Sequence, residues 1–121
     1  MNKTILIIDD DSRNIFALSA VLRARGYACV TAAGMNEAFA TLTAQDNIGL
    51  ILMDMMMPDM DGYEAIPKLK AAEQWKHLPV IAVTAQAMAG DREKCLAAGA
   101  DGYLSKPVDI DQLQGILKQY V

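Results

Sequence analysis

Ile5-Leu6-Ile7-Ile8-Asp9-Asp10-Asp11 sets four apolar residues in succession and then three carboxylates. The arrangement returns at Leu50-Ile51-Leu52-Met53-Asp54. Runs this short and this continuous predict strands covered on both faces, as in a parallel sheet. Working outward, three further runs fit the same reading: Ala28-Cys29-Val30, Val80-Ile81-Ala82-Val83 and the short Tyr103-Leu104. The segments between them carry helical spacing. Phe16, Val21 and Leu22 share a stripe ahead of Gly26, and Ala38, Phe39 and Leu42 follow Asn36, a candidate cap. Tyr63, Ile66 and Leu69 recur at intervals of three, and Leu96 precedes Gly99, a natural C-terminal stop. Leu113, Ile116, Leu117 and Tyr120 follow Asp109, with Gln112 three residues on, a variant of the capping box.

Strand and helix therefore alternate five times. That order implies right-handed crossovers and a three-layer α/β sandwich. The expected architecture is a flavodoxin-like (βα)5 fold, its five parallel strands ordered 2-1-3-4-5. With 121 residues, no low-complexity stretch and no repeat, residues 1–121 read as one domain. One local conflict stands out. Pro67 falls inside the third helical pattern, so that helix is expected either to start late, with Pro67 near its first turn, or to kink there.

Composition narrows the function classes. The net charge of −4 argues against direct nucleic-acid binding, which needs clustered Lys and Arg, and against adhesion to an anionic membrane. Two cysteines are too few for a disulfide scaffold, and a single histidine, His77, excludes a multi-histidine metal site. No apolar run approaches the roughly 20 residues that span a bilayer. The N-terminal apolar run is too short for a signal peptide. A cytoplasmic domain is expected.

In open parallel sheets, ligands bind beyond the carboxyl ends of the strands, where the strand order reverses. Here that point lies between the first and third strands, which end in Asp9-Asp10 and Asp54. Three converging carboxylates repel one another unless a cation sits among them. Hard oxygen ligands suit Mg²⁺. One Asp at a strand end is an ordinary solvated cap; a doublet and a third at matched ends are harder to explain that way. The fourth strand ends at Thr84 and the fifth at Ser105-Lys106-Pro107, on the same edge. Thr84 alone reads as a cap of the next helix, and Lys106 alone as a solvated surface charge. Together, a hydroxyl and an ammonium facing an acidic metal site suit a phosphoryl group.

Taken together, Asp9-Asp10, Asp54 within Met53-Asp54-Met55-Met56-Met57-Pro58-Asp59-Met60-Asp61-Gly62, Thr84-Ala85 and Lys106-Pro107 resemble the receiver domain of two-component response regulators. The resemblance covers essentially the whole chain. It implies that Asp54 is the phosphoacceptor and that Thr84 and Lys106 bind the phosphoryl oxygens. It implies a Mg²⁺ site, with Mn²⁺ as an alternative, made by Asp9, Asp10, Asp54 and the backbone carbonyl of Met56. The Lys106–Pro107 bond is expected to be cis. Thr84 and Tyr103 take the switch positions, acting on a surface formed by the fourth helix, fifth strand and fifth helix. The implied partners are a histidine kinase or histidine phosphotransfer protein as donor, and a downstream protein on that surface. The domain is expected to catalyse its own phosphorylation and dephosphorylation without being a turnover enzyme, as a monomer or weak dimer. Met56 and Gln86 would tune water access, and because Met56 cannot orient water, a long-lived phosphoryl state is expected. The segments from Asp9 to Leu18 and from Thr84 to Cys95 look most like receivers of hybrid histidine kinases; a stand-alone single-domain regulator is the alternative.

Other readings are weaker. A flavodoxin-like cofactor-binding protein needs a Ser/Thr/Gly-rich phosphate cradle where this chain has Asp9-Asp10-Asp11. An aspartyl-phosphate phosphohydrolase would carry a second Asp two residues after its nucleophile and a cap region; neither is here. A phosphorylation-independent relative of the family would not need Asp54, Thr84 and Lys106 together. As a calcium loop, Asp59-Met60-Asp61-Gly62 would begin at Met57 and end at Lys68, so it fails and reads as a turn into the third helix. The methionines at 53, 55, 56, 57 and 60 read as core packing and loop filling, Asp11 as a helix cap with Ser12, and Cys29 and Cys95 as small buried thiols. Arg13, Arg23 and Arg25 read as a solvated face or a partner contact, and His77 as a loop residue.

Overall fold

A computed structural model of the protein describes residues 3–85 and 90–120. Strands β1 (Thr4–Ile8), β2 (Ala28–Ala32), β3 (Ile48–Asp54), β4 (Val80–Thr84) and β5 (Gly102–Ser105) alternate with five helices. These are α1 (Ser12–Ala24), α2 (Met35–Ala44), α3 (Gly62–Ala71), α4 (Asp91–Ala98) and α5 (Ile110–Tyr120). All strand pairs are parallel and the sheet order is β2-β1-β3-β4-β5, as the spacing predicts.

The two-residue period of the strands divides the core. Ile5, Ile7, Leu50, Leu52, Ile81 and Val83 face one side and pack against Leu18 and Leu22 of α1 and Leu113 and Leu117 of α5. Leu6, Ile8, Ile51, Met53, Val80 and Ala82 face the other, against α2, α3 and α4. Every residue of β1, β3 and β4 is buried, which explains why these strands read as unbroken apolar runs. Each fully buried Leu or Ile contributes roughly 1.5–3 kcal/mol.

The helix ends show where local reading succeeds. Asp11 caps α1 by accepting from the Arg13 N–H at 3.0 Å, with Ser12 as the first helical residue. Asp109 caps α5, accepting from the Asp111 and Gln112 N–H groups at 2.9 and 3.2 Å. Asp61 caps α3 through the Glu64 N–H at 2.9 Å, so Asp59-Met60-Asp61-Gly62 is the predicted turn. Gly99 ends α4 at φ +116°, a left-handed conformation that a side chain would strain.

Several expectations need correction. Phe16 does not share the buried stripe of α1; it is 76% exposed, and Leu18 and Leu22 hold the face instead. Tyr120 is likewise exposed at the end of α5. Asn36 is not the cap of α2. The helix starts two residues earlier than that cap implies, at Met35, with Gly34 at the cap position. Nor does α3 start late: it begins at Gly62 and carries exposed Pro67 at its sixth position, beyond the first turn. The methionines follow their expected division: Met53, Met55 and Met57 are buried, while Met56 sits half exposed in the loop after β3.

Candidate functional site

Parity and register bring the carboxylates together. Ile8 of β1 pairs with Met53 of β3, so the next residue on each strand, Asp9 and Asp54, meet at the carboxyl edge. Both continue the alternation of the α1/α5 face, after Ile7 and Leu52. Asp9 stays tied to the sheet by its N–H, which donates to the Ala32 carbonyl at 3.0 Å. Asp9 and Asp54 are both buried, whereas Asp10 is exposed. One oxygen from each of the three can be chosen so that all lie within 4.8 Å of one another.

Lys106 enters from the end of β5. Its ammonium lies 3.1 Å from Asp9 Oδ2 and 3.6 Å from Asp54 Oδ2. The Lys106 N–H donates to the Thr84 carbonyl at 2.8 Å, tying the ends of β4 and β5. Thr84 is buried at the end of β4, and the cap position of α4 is Gly90. The Lys106–Pro107 peptide bond is cis, as the resemblance implies. Asp54 Oδ1 accepts the Met56 N–H at 3.1 Å, which folds the loop after β3 back over the strand end. Gln86 lies outside the described residues.

The electrostatics follow from this crowding. Burial pushes the Asp54 carboxyl up to about 6, against the Met56 N–H; the Asp9 charge raises it further and Lys106 opposes it. For Lys106, burial would lower the ammonium, but its hydrogen bond to Asp9 and the charges of Asp54 and Asp9 outweigh that and raise it. Three hard carboxylates around one point, two of them buried, fit a divalent cation with oxygen preference.

Two participants escape a reading of the sequence. Asn14 Nδ2 donates to Asp9 Oδ2 at 2.5 Å, and the Asp11 N–H donates to Asp9 Oδ1 at 2.9 Å, so both oxygens of Asp9 are oriented. Asn14 stands in the first turn of α1, where a side chain can reach back to the strand end that feeds the helix; that position was its only sequence signal. Asp59, read only as part of a turn, accepts the Met35 N–H at 2.9 Å, 24 residues away in sequence.

Tyr103 is half-buried in β5 against the α2–α4 core. Burial raises its phenol, with Asp91 and Cys95 adding to the effect. The neighbouring Tyr63 hydroxyl lies 3.9 Å from Cys95 Sγ and is pushed up to about 12, first by burial and then by that thiol. Cys29 and Cys95 are both buried, and burial raises both thiols, which suits inert packing. His77 borders a cavity of about 420 Å³, with Leu42, Ile48 and Trp75, at the opposite edge of the sheet. Among the described residues no helix is long and apolar enough to cross a membrane.

Known proteins share this arrangement. Residues 5–118 match the response regulator receiver domain. The polar-differentiation response regulator DivK of Brucella ovis is 35% identical over 121 residues, a span of 100% of this chain and 98% of DivK. The receiver domain of sensor histidine kinase PA1611 from Pseudomonas aeruginosa, crystallised with magnesium in its active-site cleft, is 38% identical with a TM-score of 0.87; the match covers 99% of this chain and 98% of that one. The receiver of Ssk1 from Saccharomyces cerevisiae, solved with the histidine phosphotransfer protein Ypd1, is 25% identical with a TM-score of 0.87, over 98% of this chain and 88% of that one. With the family spanning nearly all of the sheet and its carboxylate edge, the chain belongs to the response regulator receiver domains: a module of two-component phosphorelay signalling, not a turnover enzyme.

Proposed function

We propose that the chain accepts a phosphoryl group from a phosphohistidine on a histidine kinase or histidine phosphotransfer protein, and that Asp54 is the acceptor. The observation that carries this is the placement of buried Asp54 within reach of both Lys106 and the Asp9–Asp10 pair. In the transfer, the P–N bond of the donor breaks as an Asp54 oxygen forms the P–O bond, leaving an acyl phosphate. Asp54 must be ionised to attack, and its elevated carboxyl is still deprotonated near neutral pH. Lys106 would exchange its contact with Asp54 for one to a phosphoryl oxygen, and the Thr84 hydroxyl would donate to another. Asp9, Asp10, Asp54 and the Met56 carbonyl would hold Mg²⁺, or Mn²⁺. When bound, the ion neutralises charge on the incoming phosphoryl group. Asn14 keeps Asp9 oriented toward the cleft.

Phosphorylation would draw Thr84 inward and open space for Tyr103, changing the face formed by α4, β5 and α5 for a downstream protein. Residues 1–121 would work as one receiver, as a monomer or weak dimer. We place it in the cytoplasm, where its free cysteines stay reduced. Its context is better supported as a stand-alone regulator: DivK matches along 98% of its own length. Origin in a hybrid histidine kinase is the second reading, favoured by the likeness to the PA1611 receiver; the length of the native reading frame separates the two. Exposed Met56 offers no group to orient water, which favours a persistent acyl phosphate. Incubation with a phosphorylated histidine phosphotransfer protein tests the reading. Label should move to the wild-type chain and not to Asp54→Asn, and should decay over minutes or longer. Transfer to Asp54→Asn would overturn the acceptor, and decay within seconds would overturn the persistence.

A further inference from the structure

The loop from Met55 to Asp61 carries the Met56 backbone over the carboxylates. Its ends are well fixed. The Met55 N–H donates to the Val83 carbonyl at 3.0 Å, the Met55 carbonyl accepts the Gly62 N–H at 3.0 Å, and Asp61 caps α3. The middle has a different anchor. Asp59 Oδ2 accepts the N–H of Met35, the first residue of α2, at 2.9 Å. Its other oxygen accepts the Met60 N–H, also at 2.9 Å. The cap position of α2 is Gly34, which has no side chain to offer, so Asp59 does from another loop what a cap residue does locally. A carboxylate there also meets the positive end of the helix dipole.

Gly34 is shaped for this contact. A Cβ at that position would stand 2.7 Å from Asp59 Oδ2 and 3.1 Å from its Cγ. Its φ of −174° is ordinary extended backbone, so the glycine answers to the neighbouring carboxylate and not to strain. We propose that Asp59 is a positioning residue for the cation site: it clamps the β3–α3 loop onto the start of α2 and so sets where the Met56 carbonyl stands relative to Asp54. The inference rests on the metal ligation given under the proposed function. It also explains why the loop carries an Asp that neither caps α3 nor belongs to the carboxylate cluster.

Charge and position can be separated, because Gly34→Ala leaves every charge in place while forcing Asp59 off the helix. Asp59→Asn removes the charge and keeps an acceptor. Mg²⁺ binding is measured by calorimetry on the full chain, with exchange of the Met35 amide followed by NMR and folding checked by circular dichroism. Both Asp59→Ala and Gly34→Ala should weaken Mg²⁺ on the order of fivefold, the scale of one lost capping bond. Both should speed exchange at Met35, while Asp59→Asn stays near wild type. Saturating Mg²⁺ should restore the maximal rate of phosphorylation by a small phosphodonor in both weakened variants. Unchanged Mg²⁺ affinity in Gly34→Ala, or Asp59→Asn as weak as Asp59→Ala, would overturn the positioning role. Mg²⁺ binding as tight as wild type in Asp10→Asn and in Asp54→Asn would overturn the ligand set itself, and the inference with it.

Discussion

At the scale of single residues, Asp54 and Lys106 set opposing demands. Asp54 is ionised near neutral pH in a buried place that favours its proton. Its carboxyl titrates at about 6 when folded, against roughly 4 in an unfolded chain. Between those values the folded state keeps a proton that the unfolded state has released, so stability falls as pH rises from about 4 to about 6 and stays lower above that. Without metal at pH 7.5, Asp54→Asn should therefore be more stable than wild type by about 1–3 kcal/mol in urea unfolding, and the gain should vanish near pH 4. A gain equal at both pH values would mean that burial of the charge is not its cause. Lys106 answers the same crowding with a fixed cation. It stabilises the metal-free carboxylates but competes with any divalent ion for them, being 3.1 Å from Asp9. Lys106→Ala should bind Mg²⁺ about five- to tenfold more tightly by calorimetry, while its phosphorylation slows. Weaker binding would show that Lys106 assists the ion.

At the scale of elements, α3 carries a defect and α2 a borrowed cap. Pro67 removes one N–H from the helical ladder and crowds the Tyr63 carbonyl four residues back. It is exposed and has no part in the cleft. Pro67→Ala should stabilise the protein by about 1 kcal/mol, less than the full interior cost of proline because proline also restrains the unfolded chain. A shift of the urea midpoint with an unchanged slope checks this, and destabilisation would contradict it. These two helices also mark where the sequence stops being legible. Strands β1, β3 and β4 could be read because both their faces are buried and the apolar run is itself the signal. The caps at Asp11 and Asp109 could be read because donor and acceptor lie two or three residues apart. The start of α2 could not, because its acceptor, Asp59, is distant in sequence. Phe16 misled because an aromatic at helical spacing looks like core, while the sheet selects the face holding Leu18 and Leu22.

At the scale of the whole molecule, one sheet does two jobs. Its apolar faces supply the core, and its carboxyl edge gathers Asp9, Asp10, Asp54, Thr84 and Lys106 from four strand ends. That edge was legible because strand order fixes which ends are neighbours, and the aspartates follow directly on the apolar runs. Asn14 and Asp59 were not, because their roles depend on side-chain reach across loops. The arrangement also links the cleft to the surface, since the backbone of Lys106 is bonded to Thr84 and Tyr103 lies on the same short strand. All of this depends on Asp54 being the group that is modified. Intact mass after treatment with a small phosphodonor and Mg²⁺ tests that most directly. The wild-type chain should gain one phosphoryl group when Mg²⁺ is present, and none when Mg²⁺ is withheld or in Asp54→Asn; a phosphoryl group found on Asp54→Asn would contradict the assignment.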